Sequence, residues 1–320
     1  MAKIVGALIL AIPVLAATTL LWSHWSIRTI EPELPKVEQI LAVGTDSADL
    51  PVDLRLLDTA SQAMPRSGVI ERSLDPDPEA EYVMAFPAFA LEWADGRIFL
   101  IDLGMERASA LSFGKPAERV LAADPIEFHG DVAQLLGSSI DRVAGVGQSH
   151  LHSDHTDGAI RLCAAAGRAI RLFQTPLQAD RTNYTTRPGR AKIERAGCLE
   201  PTRLSGGPLH PIPGFPGLGV FATGGHTPGS QVFVARTADT IGSRLWVFTG
   251  DLANNIDGIR HNLPKPTLYS LFVVPEHRAR LDVLRRFLAE LERQPGVDLL
   301  VSHDLRQLEA MGLASERLKP

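Results

Sequence analysis

Three histidines and an aspartate stand within six residues, HLHSDH, from His150 to His155. The chain has ten histidines in 320 residues, so three in one hexapeptide point to a shared task. Crowded without partners, these side chains would be costly to bury. The stretch before them, DRVAGVGQSH, reads as a buried strand ending at His150. On extended backbone, residues two apart face the same side, so His150 and His152 share a face. Asp154 and His155 follow on a turn. Asp157-Gly158 then opens a helix, AIRLCAAAGRA. Any fold for this chain must bring a strand end, a turn and a helix start to one polar point.

Three later apolar runs end in the same way: LGVFATGGH at His226, SRLWVFTGD at Asp251 and VDLLVSHD at His303. Sites form where strand ends converge, because the sheet is rigid and the loops carry the ligands. Imidazole and carboxylate suit Zn²⁺, with three protein ligands and an open position at a catalytic site. Alone, the hexapeptide gives each of two metals two ligands. His226, Asp251 and His303 supply the rest, and a carboxylate shared between two cations lowers their repulsion. The glycines around His226, in GGHTPG, allow close backbone approach.

The remaining pattern sets the fold class. YVMAFPAFALEW and RIFLIDLG flank Asp95-Gly96 and read as a hairpin. SQVFVART reads as another strand. PEHRARLDVLRRFLAELER carries Leu281, Leu284, Leu288 and Leu291 on one helix face, with Pro275 in its first turn and Pro295-Gly296 closing it. LRQLEAMGLASERL reads as a closing helix. Early hairpins followed by mixed strands and helices predict two packed sheets with helices outside.

In this order, HLHSDH, GGHTPGS, FTGD and VSHD resemble the metallo-β-lactamase superfamily of metal-dependent hydrolases, over residues 80 to 304. The resemblance implies an α/β fold, an αββα sandwich of two mixed β-sheets flanked by helices. It implies two metal ions per chain, zinc by default, with Fe or Mn also suited to such ligands. It assigns His150, His152 and His226 to the first, and Asp154, His155 and His303 to the second, with Asp251 bridging. The implied activity is hydrolysis of a small ester, lactone or related bond by a metal-bridging hydroxide, with Asp154 also orienting the nucleophile. A β-lactam hydrolase and a non-catalytic metal-binding module are the alternatives. Asn254 stands where acyl-homoserine lactonases often carry Tyr, and Ser230 where many members carry His. A true β-lactamase generally lacks the carboxylate that Asp251 supplies.

Two segments are candidate pocket walls. The Arg-rich stretch 181–195 contains Tyr184 and reads as a surface loop or a lid. The stretch 254–270 offers Asn254, Arg260, His261 and Tyr269 as substrate contacts. His129, His210 and His277 have no companion ligands and read as structural or exposed. Cys163 reads as a small buried hydrophobe rather than half of a disulfide with Cys198.

The N-terminus carries Lys3 and then no charge until Arg28. Its apolar run, residues 4–22, is about as long as a bilayer span requires. Residues 1–25 read as a signal anchor, with Trp22 and Trp25 at the interface, or as a signal peptide cut near Val14-Leu15-Ala16. Both readings send the rest across the membrane, to a periplasmic or extracytoplasmic location. A linker, 26–36, and a hydrolase domain, 37–320, follow. The net charge of −5 is a poor match for a nucleic-acid binder. The expected partner is a small-molecule substrate, with the membrane as a second contact if the N-terminus is retained.

Overall fold

The computed structural model describes residues 2–238 and 243–318, with side chains from residue 14 onward. Thirteen strands are described: β1 Pro51–Pro65, β2 Glu81–Trp93, β3 Ile98–Ile101, β4 Glu127–Phe128, β5 Val143–Gly147, β6 Ile170–Gln174, β7 Leu199–Arg203, β8 His210–Pro211, β9 Leu218–Ala222, β10 Gln231–Thr237, β11 Arg244–Phe248, β12 Val297–Leu300 and β13 Ser315–Glu316. They form two mixed sheets. The first runs β13-β1-β2-β3-β5-β6-β7, with β4 beside β1, and the second runs β12-β11-β10-β9-β8. In the first, β1 to β3 are antiparallel, while β3, β5, β6 and β7 are parallel. Parallel neighbours need crossovers, and the helices Ala159–Ala166 and Arg187–Ala196 supply them.

Phe89, Phe99, Phe173, Phe215, Phe233 and Phe248 fill the space between the sheets. Gly147 lies in this layer because a Cβ there would collide with the Phe233 ring. On the outer face of the first sheet, Leu100, Val146 and Leu172 pack with Leu162 of the helix Ala159–Ala166. On the outer face of the second, Leu281, Leu284, Leu288 and Leu291 of the helix Arg278–Glu292 meet Val232, Val247 and Leu299. These are the four leucines that the sequence places on one face. The result is the expected αββα layering.

Several expectations are corrected. The ligand-bearing runs leave the ladder early: β5 stops at Gly147, β9 at Ala222, β11 at Phe248 and β12 at Leu300. The ligands therefore sit on loops just past the strand ends, where backbone is free to turn. Pro275 lies outside its helix, which starts at Arg278 after the N-cap His277. The closing helix spans only Leu305–Ala310. Gly312 turns with φ +87°, and Ser315–Glu316 pairs with β1 in parallel.

Cys163 and Cys198 form a disulfide, against expectation. The helix Ala159–Ala166 ends just before β6, and Ile170 N donates to Cys198 O at 2.8 Å. That register brings the two Cα atoms to 5.4 Å, within bridging reach.

The chain begins with the helix Ala2–Arg28. Among the described residues no helix is long and apolar enough to cross a membrane. The span expected over 4–22 falls largely on side chains outside the described ones. The segment 26–36 is not a free linker. Ile27 and Ile30 are buried, and Arg280 Nη2 donates to Pro32 O at 2.6 Å.

Candidate metal centre

The centre is built at the end of β3. Asp102, the next residue, holds φ +60°, a left-handed conformation that non-glycine residues rarely adopt. Its carboxylate accepts from Ser149 N and Ser149 Oγ, both at 2.7 Å, and from His155 Nδ1 at 2.8 Å. Three charge-assisted bonds thus pin the loop after β5 to the sheet. From the other sheet, Gln231 N donates to Ser149 O. The loop after β9 folds back through Gly224 and Gly225, both at positive φ. Ser230 Oγ closes it by accepting from Thr227 N at 2.9 Å.

Seven side chains converge in two groups. His150 Nε2 is 3.0 Å from His152 Nδ1, which is 3.2 Å from His226 Nε2. Asp251 Oδ2 lies 3.9 Å from His150 Nε2 and 3.5 Å from His226 Nε2. In the second group, Asp251 Oδ1 lies 3.1 Å from His155 Nε2 and 3.0 Å from His303 Nε2. Asp154 Oδ2 is 3.6 Å from both imidazoles. Within each group the facing atoms all lie within 4.8 Å of one another. Asp251 belongs to both: Oδ2 faces His150 and His226, Oδ1 faces His155, and His303 Nε2 lies 3.0 Å from Oδ1 and 3.1 Å from Oδ2.

Every histidine is held from behind. His150 Nδ1 meets Ser149 Oγ at 3.1 Å, and His152 Nε2 meets Thr185 Oγ1 at 2.9 Å. His226 Nδ1 meets Glu276 Oε1 at 2.6 Å, His155 Nδ1 meets Asp102, and His303 Nδ1 meets Ala85 O at 2.6 Å. Partners on the far nitrogen fix the tautomer and turn the other lone pair inward.

The electrostatics divide the groups. Burial holds His150 and His152 well below the usual histidine range, helped by the neighbouring imidazoles. Burial and the Lys265 ammonium lower His226. These three are neutral, with lone pairs to give. Burial also opposes charge on His155, but Asp102, Asp154 and Asp251 outweigh it and raise it well above that range. His303 is raised as well, burial being outweighed by Asp251 and Asp154. Burial pushes the Asp251 carboxyl up, yet His303, His150 and His155 hold it well below the usual range. The second group is therefore a place that stabilises positive charge.

These residues fit two divalent cations. His155 Nε2 and Asp251 Oδ1 are buried and face each other at 3.1 Å without an aligned hydrogen bond to one another or to any other group, which is costly unless something else engages them. A nitrogen-rich set sharing one carboxylate is suitable chemistry for such ions.

The candidate substrate contacts divide. Tyr269 is near the centre: burial raises its hydroxyl well above the ordinary value, as do the Glu276, Asp251 and Asp154 charges. Asn254 is buried, with Oδ1 unpartnered and its backbone carbonyl accepting from Tyr82. Tyr184 is half-buried, next to the Thr185 that holds His152. Arg260 and His261 lie farther out. Both are exposed at the end of the helix Ile256–Arg260, and Arg260 Nη2 pairs with Glu292 Oε1 at 2.6 Å. The stretch 181–195 is no loose loop either. Much of it is the helix Arg187–Ala196, seated on HLHSDH through Gly189 against Leu151 O.

Sequence reasoning missed Asp102, Ser149, Thr185, Lys265 and Glu276. Asp102 carried a signal, since RIFLID is one more apolar strand that ends on a potential ligand type. Thr185 and Glu276 carried none. Lys265 is buried, with Nζ 3.1 Å from Glu276 Oε1 and 3.2 Å from His226 Nδ1.

No family model and no curated protein matches the chain. Solved structures do. A quorum-quenching N-acyl homoserine lactone lactonase is similar at 17% identity over 82% of this chain and 95% of its own, with TM-score 0.57. An N-acyl homoserine lactone hydrolase with N-hexanoyl-L-homoserine bound at its catalytic metal centre gives 17% identity, 82% and 96% coverage, and TM-score 0.56. A probable metal-dependent hydrolase from Staphylococcus aureus gives 13% identity, 81% and 91% coverage, and TM-score 0.54. The chain has the metallo-β-lactamase fold.

Proposed function

We propose that this chain is a zinc-dependent hydrolase of a small ester or lactone. The observation that carries the reading is the pair of ligand groups sharing Asp251, with every histidine oriented from behind. His150, His152, His226 and Asp251 would hold one ion, and Asp154, His155, Asp251 and His303 the other. Bound there, the ions would polarise a carbonyl and lower the pKa of water.

The chain's own residues do the rest. His152 and Asp154 keep the largest exposure in their groups, 9% and 6%, so substrate reaches the centre over them. Asp154 is placed to accept a proton from the attacking water and return it to the leaving oxygen. The buried wall of His150, His226 and His303 excludes bulk water. Likeness in fold to lactonases and the retained Asp251 support an ester or lactone over a β-lactam.

The disulfide between Cys163 and Cys198 and the apolar run over 4–22 support an oxidising, extracytoplasmic compartment.

The test is elemental analysis with a lactone and ester panel. Near two zinc per chain is expected, with turnover abolished by chelator. Asp251→Ala should lose metal and most activity. Full metal content with unchanged turnover in that variant would overturn the reading.

A further inference from the structure

Two segments far apart in sequence meet on one face. His24 Nε2 of the N-terminal helix donates to Leu271 O at 2.9 Å, and Ser23 beside it is fully buried. Around this contact the large apolar side chains point outward. Leu21, Trp22 and Trp25 are 68, 51 and 65% exposed, and Leu268, Phe272 and Val273 are 70, 63 and 59% exposed. A single exposed leucine needs no explanation, but a joined group of six large ones marks an interaction surface.

The composition of both segments identifies what covers it. Residues 1–30 contain Lys3 and Arg28 and no carboxylate. Lys265 is buried against Glu276, and the rim also carries Glu31, 3.6 Å from His277, and Glu71, which accepts from Thr267. Arg28 and Arg278, both exposed, stand beside the two segments. Tryptophan beside large apolar side chains, with charges of both signs at the rim, suits the interface of a bilayer. The face is also continuous with the apolar run that precedes it in the same helix, Ala2–Arg28.

We infer that this face, formed by Leu21, Trp22 and Trp25 with Leu268, Phe272 and Val273, docks on the lipid surface of a membrane. The docking is by the folded domain and does not require the helix to cross the bilayer. The turn Tyr269–Val273 then has two sides. Phe272 and Val273 meet lipid, while Ser270 Oγ donates to Glu276, which holds His226. A substrate that partitions into lipid would arrive one turn from the centre. That corollary rests on the hydrolase reading, whereas the docking does not.

The test uses the full chain with Phe272→Cys, labelled with an environment-sensitive fluorophore. Cys163 and Cys198 are bonded to each other, so the label goes to position 272. Vesicles of phosphatidylethanolamine and phosphatidylglycerol carry brominated acyl chains as quenchers. Val120→Cys, at a site 79% exposed in the native chain, is the control. The expected result is strong quenching at 272 and little at 120. In unlabelled chain, Leu268→Glu with Phe272→Glu should weaken vesicle partition about tenfold or more, with metal content unchanged. Three results would overturn the inference. One is equal quenching at both sites on vesicle-bound chain, which would leave only the helix in lipid. Another is no vesicle binding. The third is a lipid-independent blue shift at 272 that grows with protein concentration, which would mark a contact between copies.

Discussion

Burial sets two neighbouring side chains against each other outside the metal centre. Asp58 Oδ2 lies 2.7 Å from Arg317 Nη2 and 3.6 Å from His129 Nε2. Burial pushes the Asp58 carboxyl up to about 7 despite Arg317, and burial with the Arg317 charge pushes His129 down to about 4. A histidine depressed from 6.5 contributes stability above its unfolded value and loses it as pH falls towards the folded one. The raised Asp58 acts oppositely and loses its contribution as pH rises through about 7. The two slopes offset one another between about 4 and 6.5. Urea unfolding of His129→Gln beside the native protein, at equal metal loading, separates them. The native protein should lose stability relative to the variant as pH falls from about 6.5 to about 4. A constant difference would mean that His129 titrates alike folded and unfolded. At this scale the sequence shows ligands better than supports. The seven metal-facing residues stand out because their types are costly and clustered. Glu276 and Thr185 are ordinary in sequence and become supports only through loops that fold over the centre. The pairing of Arg260 with Glu292 is not legible, because it depends on where a short helix ends.

Among the elements, the helix Arg187–Ala196 ties the packing to the centre. Gly189 rests on the Leu151 carbonyl, and an added Cβ would collide with it and meet Thr156 Oγ1 at 2.8 Å. Gly189→Ala should cost about 1–3 kcal/mol as the helix shifts. It should also weaken metal binding at the group that contains His152, because Thr185 moves with the helix. Unfolding curves and chelator competition read the two effects. Lower stability with unchanged metal affinity would show that this helix does not position His152. Strands with apolar runs and the Asp95-Gly96 hairpin are legible in sequence. The second half of β1 is not: Thr59, Ser61 and Gln62 are polar yet buried, so the usual alternation is lost. The closing helix misleads for the opposite reason. Its pattern is helical, but Gly312 stops it and β1 recruits Ser315–Glu316 as an edge strand.

Across the whole molecule, the two sheets pack face to face, and the disulfide ties the helix Ala159–Ala166 to the start of β7 on the outer side of the first. Replacing Cys163 and Cys198 together by Ala should lower stability by about 2–4 kcal/mol, read by urea unfolding with and without reductant. Native and variant proteins that unfold alike under oxidising conditions would show that the bond closes no loop of consequence. The layered class was legible because it depends on the order of strands and helices rather than on their ends. The distribution of ligands has a further result. The first sheet's loops supply His150, His152, Asp154 and His155, and the second's supply His226, Asp251 and His303. Each group draws on both, and His303 comes after all the others in the chain. A polypeptide threaded unfolded through a membrane holds neither group assembled, and one still being made lacks the second until His303 has emerged. It would acquire its ions where it folds, so the metal supply of that compartment, rather than that of the site of synthesis, governs which ions it carries.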